Sequence, residues 1–296
     1  MQLNGVAIDD TFAEAFGMKA TRIIITAINE RWAQQAAETM TGFATSVIGC
    51  GVEAGVESQL MAAQTPDGRP GVSVLLFGMS GKELARQLET RTGQCILTCP
   101  TTAVFSGMPA DDDPIPLGRN LRYFGDGYQI SKLIRDKRYW RIPVMDGEFL
   151  AEESAGRCKA IGGGNFLVLA NSTEQALKAC ESAVQAMRRL PNIVLPFPGG
   201  IVRSGSKVGS KYKSLMASTN DAFCPTLRGL VESEIDDTVN SVMEIVVNGL
   251  GEGDIRSAMR DGIRAACAEP GVIRISAGNY GGKLGQYHFH LHEVLA

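Results

Sequence analysis

Four times along the chain an apolar, strand-sized run leads into an amphipathic helix and then into a second apolar run, and this repeat constrains the fold more than any other feature. In the first unit, residues 22–27 read as a strand. Asn29 caps a helix that carries Trp32, Ala36 and Met40 at a spacing of four, with Ala33 and Ala37 beside them. Gly42 ends that helix, and 46–48 resumes as a strand. In the second unit, strand 72–77 is followed by Ser80 and Glu83, the spacing of a capping box. Leu84 and Leu88 face inward, and 95–98 is the closing strand. The third unit runs from strand 166–170 through a second box, Ser172 with Gln175. Its helix buries Leu177, Cys180, Val184 and Met187, and Pro191 stops it. The fourth starts at 242–247, has Ile255, Met259 and Ile263 on its helix face, turns at Pro270-Gly271 and ends in strand 272–276.

Two such units per half predict an α+β fold of two ferredoxin-like split-βαβ lobes related by an apparent internal duplication. The cut falls at Asp146-Gly147, giving lobes 1–145 and 146–296. It follows a loop-rich stretch, 108–120, in which Asp111-Asp112-Asp113-Pro114 reads as an exposed excursion. With 44% hydrophobic and 21% charged residues the chain has the balance of a soluble globular protein. A net charge of -3 and 6% aromatics argue against a nucleic-acid or anionic-membrane partner. The apolar runs are too short to span a bilayer, and the first ten residues lack the pattern of a signal peptide. Seven cysteines without a CxxC read as buried free thiols in a reducing cytoplasm.

Between these elements lie dense runs of glycine and polar residues that packing alone does not require. They include Asp10-Thr11-Phe12-Ala13-Glu14-Ala15-Phe16, Thr65-Pro66-Asp67-Gly68-Arg69-Pro70-Gly71 and Phe124-Gly125-Asp126-Gly127-Tyr128-Gln129. Further on come Pro196-Phe197-Pro198-Gly199-Gly200, Ser206-Lys207-Val208-Gly209-Ser210-Lys211 and Ser218-Thr219-Asn220-Asp221-Ala222-Phe223-Cys224-Pro225. The last are Glu244-Ile245-Val246-Val247-Asn248-Gly249 and Ser276-Ala277-Gly278-Asn279-Tyr280-Gly281-Gly282. In order and spacing, over essentially the whole chain, these runs resemble those of the formylmethanofuran–tetrahydromethanopterin formyltransferases. The resemblance implies a homo-oligomer, dimer or tetramer, with a site between lobes and subunits. It implies no tightly bound cofactor and no metal, methanofuran and tetrahydromethanopterin being carrier substrates. It also implies a place for such a chain within a larger formyltransferase/hydrolase complex.

The implied reaction moves a formyl group from a primary amine to a pterin nitrogen through a tetrahedral oxyanion, so it needs an oxyanion stabiliser and a general acid. Glu244 is the candidate acid. A charge inside the apolar strand Met243-Glu244-Ile245-Val246-Val247 must face a cleft or bear the cost of burial, and burial keeps the proton on. The competing reading is a Glu paired with a buried Arg or turned to solvent.

Arg203, Ser206, Lys207 and Lys211 lie on a glycine-rich stretch that fails the P-loop pattern, so they read as contacts for anionic carriers or as an exposed basic loop. Asn220 and Asp221 can orient an amide-like pterin edge or serve turn chemistry. Asn279 and Tyr280 sit in the loop after the last strand of the fourth unit. Cys224 is the nucleophile of a rival acyl-enzyme route. His288, His290 and His292 alternate as on one strand face; without a supporting Cys or carboxylate cluster they read as a polar sheet face rather than a zinc site. The alternative to an enzyme is a non-catalytic carrier-binding subunit of a complex, and Glu244 favours the enzyme.

Overall fold

The computed structural model describes residues 1–110 and 113–296, so Asp111 and Asp112 of the acidic run lie outside the described residues. The chain forms two compact units, one of Met18–Ala160 and one of Met1–Gly17 with Ile161–Ala296. This division differs from a single cut at Asp146-Gly147 because sheet pairing reclaims the N-terminus. Strand Val6–Ile8 runs parallel to Val272–Ser276, and Tyr287–His290 pairs antiparallel with residues 12–15.

In the unit Met18–Ala160 the helix Glu30–Thr41 forms as expected. The Asn29 side chain accepts from the Trp32 amide at 3.2 Å, and Ala33, Ala36, Ala37 and Met40 make its buried stripe. Helix Gly81–Arg91 starts with the Glu83 amide donating to Ser80 Oγ at 3.2 Å. Only half of that capping box is made, because the Glu83 carboxylate turns to Arg86 instead. In space the strands run Glu53–Leu60, Gly71–Gly78, Phe12–Thr26, Ala103–Ser106, with every pair antiparallel. Strand Gly71–Gly78 is buried along its whole length, as an interior strand should be.

Two expected strands of this unit are helical turns. Residues 46–48 open the short helix Val47–Cys50: Ser46 accepts the Ile48 amide, and Gly51, at φ 75°, closes the turn before the strand starts at Glu53. Residues 95–98 continue the preceding helix through a wide turn, Thr92–Ile96, and the strand comes later at Ala103–Ser106. An apolar run this short fits a buried helical turn as well as a strand, and here Ile96 is buried as a helical residue.

In the second unit the order Ile193–Val194, Ser241–Gly249, Cys158–Ala170, Val272–Ser276 repeats the same arrangement, again all antiparallel. Helices Thr173–Met187 and Glu252–Ala266 cover one face of this sheet. Phe166, Val168, Ile245, Val247 and Ile275 meet Cys180, Ala183, Met259 and Ile263 there. Leu177, expected inside, is 40% exposed, because the buried stripe runs through Ala176, Cys180, Ala183 and Met187. All seven cysteines are free, but only Cys180 and Cys267 are buried, so five are less enclosed than expected. Among the described residues no helix is long and apolar enough to cross a membrane.

Candidate active site

Strand Ser241–Gly249 alternates, as its pleat requires. Ile245 and Val247 join the helix-side core, while Val242 and Glu244 point to the opposite face. That face carries neither of the two long helices of this unit. It is covered by the segment between Val202 and Val239, where Ile235, Val239 and Phe223 pack on Leu167 and Leu169. The Glu244 backbone is fully paired: it opposes Leu167 on one side, and on the other it exchanges hydrogen bonds of 2.8 and 2.9 Å with Val202.

Its side chain faces an open pocket that is also lined by Leu167, Val202, Arg203, Asn220 and Cys224. The Glu244 carboxyl has no hydrogen-bond or ion-pair partner among the described residues. Burial alone pushes its pKa up to about 7. Near neutral pH such a group holds and releases a proton with equal ease, which is the property a general acid–base needs.

The other expected residues separate into three groups. Arg203 and Asn220 share the Glu244 pocket. Lys207 and Asp221 pair with each other, Nζ to Oδ2 at 2.5 Å, and the ammonium holds the Asp221 carboxyl below its ordinary range. Ser206 and Lys211 are exposed and lie outside the pocket lining. Cys224, the rival nucleophile, lies in the pocket with its Sγ 3.3 Å from the Asn220 carbonyl oxygen.

Asn279 and Tyr280 belong to a loop that sequence reasoning left without an anchor. The anchor is Glu14. This carboxylate, 1% exposed, accepts the amides of Tyr280 and Gly282 on Oε2 at 2.6 and 2.9 Å. It accepts those of Leu284 and Gly285 on Oε1, both at 2.6 Å. The Asn279 amide adds bonds of 3.1 Å to Thr11 Oγ1 and 3.2 Å to the Phe12 carbonyl. The Tyr280 ring lies 6.1 Å from that of Phe16. Glu14 carries the same signal as Glu244, a lone charge in an apolar run, and could have been singled out on that ground.

Burial pushes the Glu14 pKa up, but the four N–H donors outweigh it and hold the carboxyl below its ordinary value. Its stabilisation is therefore present above the unfolded pKa, roughly 4.3, and is lost as pH falls through the depressed folded value. The urea midpoint is expected to fall more steeply between pH 5 and about 3 for the natural chain than for Glu14→Gln. Parallel pH profiles would contradict this account.

The histidines do not share one strand. The strand ends at His290, and His292 lies in the helix Leu291–Leu295. His288 and His290 flank the Phe12 ring at 4.8 and 5.1 Å, and His292 Nε2 is 3.0 Å from the Ile8 carbonyl oxygen. No three metal-ligating side chains gather among the described residues.

Residues 1–144 match the family described as formylmethanofuran-tetrahydromethanopterin formyltransferase, and residues 147–294 match the family of its proximal lobe. A formylmethanofuran–tetrahydromethanopterin formyltransferase of Methylococcus capsulatus is 66% identical, the match covering 100% of each chain. The solved formyltransferase of Methanosarcina barkeri superposes with a TM-score of 0.94 at 50% identity, covering 99% of this chain and 100% of that one. A chain of the formyltransferase/hydrolase complex of Methylorubrum extorquens, solved with methylofuran, gives 0.97 at 50% identity, covering 100% and 99%. The chain belongs to the formylmethanofuran–tetrahydromethanopterin formyltransferase family.

Proposed function

We propose that this chain transfers a formyl group between a methanofuran-type amine and N5 of tetrahydromethanopterin, directly and through a tetrahedral intermediate, with Glu244 as the general acid. The observation that carries the assignment of Glu244 is its carboxyl: unpartnered among the described residues, facing a pocket, with a pKa of about 7. The pterin N5 attacks the formyl carbon, a C–N bond forms, and the carbonyl oxygen takes up the charge. Collapse of the intermediate breaks the bond to the methanofuran nitrogen. That nitrogen leaves as an amine once Glu244 has protonated it, and the proton lost from N5 returns to the Glu244 carboxylate. Every atom is accounted for without a covalent enzyme intermediate, so Cys224 needs no nucleophilic role.

Arg203 and Asn220, beside Glu244, are proposed to hold and orient a carrier. Lys207 and Lys211, with Ser206 next to Lys207, meet its anionic groups; Asp221 is engaged with Lys207, and Asn279 and Tyr280 come from the loop held by Glu14. No tightly bound cofactor is needed. A cytoplasmic location accords with seven free thiols. The halves 1–145 and 146–296 are proposed as duplicated ferredoxin-like lobes. What supports this is their identical strand order and the meeting of the two family matches between residues 144 and 147.

The similar chain in Methylorubrum extorquens works inside a formyltransferase/hydrolase complex, which supports a second reading, a carrier-binding subunit that needs partners for activity. The purified chain, run as a dimer or tetramer by light scattering, is expected to form the 5-formyl pterin on its own, with no loss after chelation. Activity only on adding partner subunits would establish the second reading, and activity restored by zinc would overturn the metal-free mechanism.

A further inference from the structure

Glu14 lies in the strand Phe12–Thr26, yet all four of its hydrogen-bond donors come from the segment Tyr280 to Gly285, 266 to 271 positions away. Gly281 and Gly282, at φ 70° and 71°, give the segment the left-handed turns that point four of its amides at one carboxylate. Gly285 is equally constrained. A Cβ there would lie 2.5 Å from the Ala15 carbonyl oxygen and 2.8 Å from Glu14 Cγ. The loop therefore has one seating, and a carboxylate is its centre.

The register shows where that loop stands. Leu167 opposes Glu244 on one side and Ser276 on the other, so these three side chains share a sheet face. Asn165, two residues along from Leu167, points to the same face, roughly 7 Å further along the strand. Its amide grips the root of the loop: Nδ2 donates to the Gly278 carbonyl at 3.1 Å, and Oδ1 accepts the Gly278 amide at 2.6 Å. The root of the loop thus stands on the sheet face that carries the pocket, about two residues along the strand from the position opposite Glu244.

We infer that Glu14 is a positioning residue for formyl transfer: its carboxylate seats the Tyr280–Gly285 backbone so that Tyr280 is presented to the carrier bound over Glu244. The inference rests on the reading of Tyr280 as a carrier contact. Glu14 itself touches no carrier. It acts through the loop, and the bond it makes to the Tyr280 amide sets where that ring begins.

The test is a double-mutant cycle in the full chain, with KM for each carrier and kcat measured separately, and with tryptic nicking at the exposed Lys283 as a readout of loop seating. Tyr280→Ala is expected to raise KM for at least one carrier by about tenfold or more, the scale of one lost contact. Glu14→Gln should raise the same KM by a similar factor, leave kcat within about twofold, and speed cleavage at Lys283. The double variant should be no worse than the more affected single variant. Gly285→Ala, which unseats the loop while leaving Glu14 a carboxylate, should reproduce Glu14→Gln, and it takes over both readouts if Glu14→Gln does not fold. An unchanged KM for Tyr280→Ala would remove the loop from the carrier site. A raised KM for Tyr280→Ala with an unchanged KM for Glu14→Gln and Gly285→Ala, or fully additive losses, would overturn the positioning role alone.

Discussion

Glu244→Gln is expected to lower the turnover number by about 10²–10⁴-fold, the usual worth of a positioned general acid. The substitution keeps size and hydrogen-bonding capacity, and the neutral amide resembles the protonated acid, so KM for both carriers should move little. The pH profile adds a second signature. With a carboxyl pKa of about 7 in the free chain, the acid form is depleted above neutrality, and the rate attributable to it should fall about tenfold per pH unit there. The variant has no such group, so its residual rate should show no corresponding break. Turnover within a few-fold of the natural chain would end the case for Glu244. A large loss without any change in the pH profile would leave it with a structural role.

The same substitution is expected to stabilise the protein above pH 7. The Glu244 carboxyl titrates near 4.3 when unfolded and at about 7 when folded, because burial disfavours its charge and no partner among the described residues compensates. A raised folded pKa means that the group's stabilisation is fully present below the unfolded value and is lost as pH rises through the folded one. At pH 8 both states are ionised, and the folded chain carries a half-buried carboxylate, unpaired among the described residues, at a cost of roughly 3–4 kcal/mol. Glutamine removes that cost. Urea unfolding should therefore show Glu244→Gln more stable than the natural chain at pH 8 by up to about this amount, and nearly equal to it close to pH 4. A Glu held in a buried ion pair would behave oppositely and lose stability on substitution. An equal offset at both pH values would show that the carboxyl is not desolvated in the folded chain. Together the two measurements describe a group whose reactivity is maintained at the expense of stability.

Much of this molecule is legible from residues close together in the chain. Asn29, Ser80 and Ser172 cap their helices because each accepts an amide only three positions ahead. Ile255, Met259 and Ile263 are buried because a 3.6-residue period puts them on one side whatever they meet. Glu244 stood out just as locally, as the one charge inside an apolar strand. Where a local pattern admitted two outcomes, tertiary contact chose between them. Residues 46–48 and 95–98 became helical turns, since only a neighbour in the sheet can make so short a run a strand. His292 left its expected strand because the chain turns into a helix at Leu291.

The clearest case is the pair Glu14 and Glu244. In sequence they look alike, each a carboxyl within a short apolar run. In the fold, Glu14 receives four backbone donors from a segment nearly the whole chain away, and its pKa falls. Glu244 receives none from the described residues, and its pKa rises to about 7. Periodicity tells which positions are enclosed, because it depends on the chain's own geometry. Whether an enclosed charge becomes an anchor or an acid depends on the donors around it, and those are delivered by strand pairing at long range.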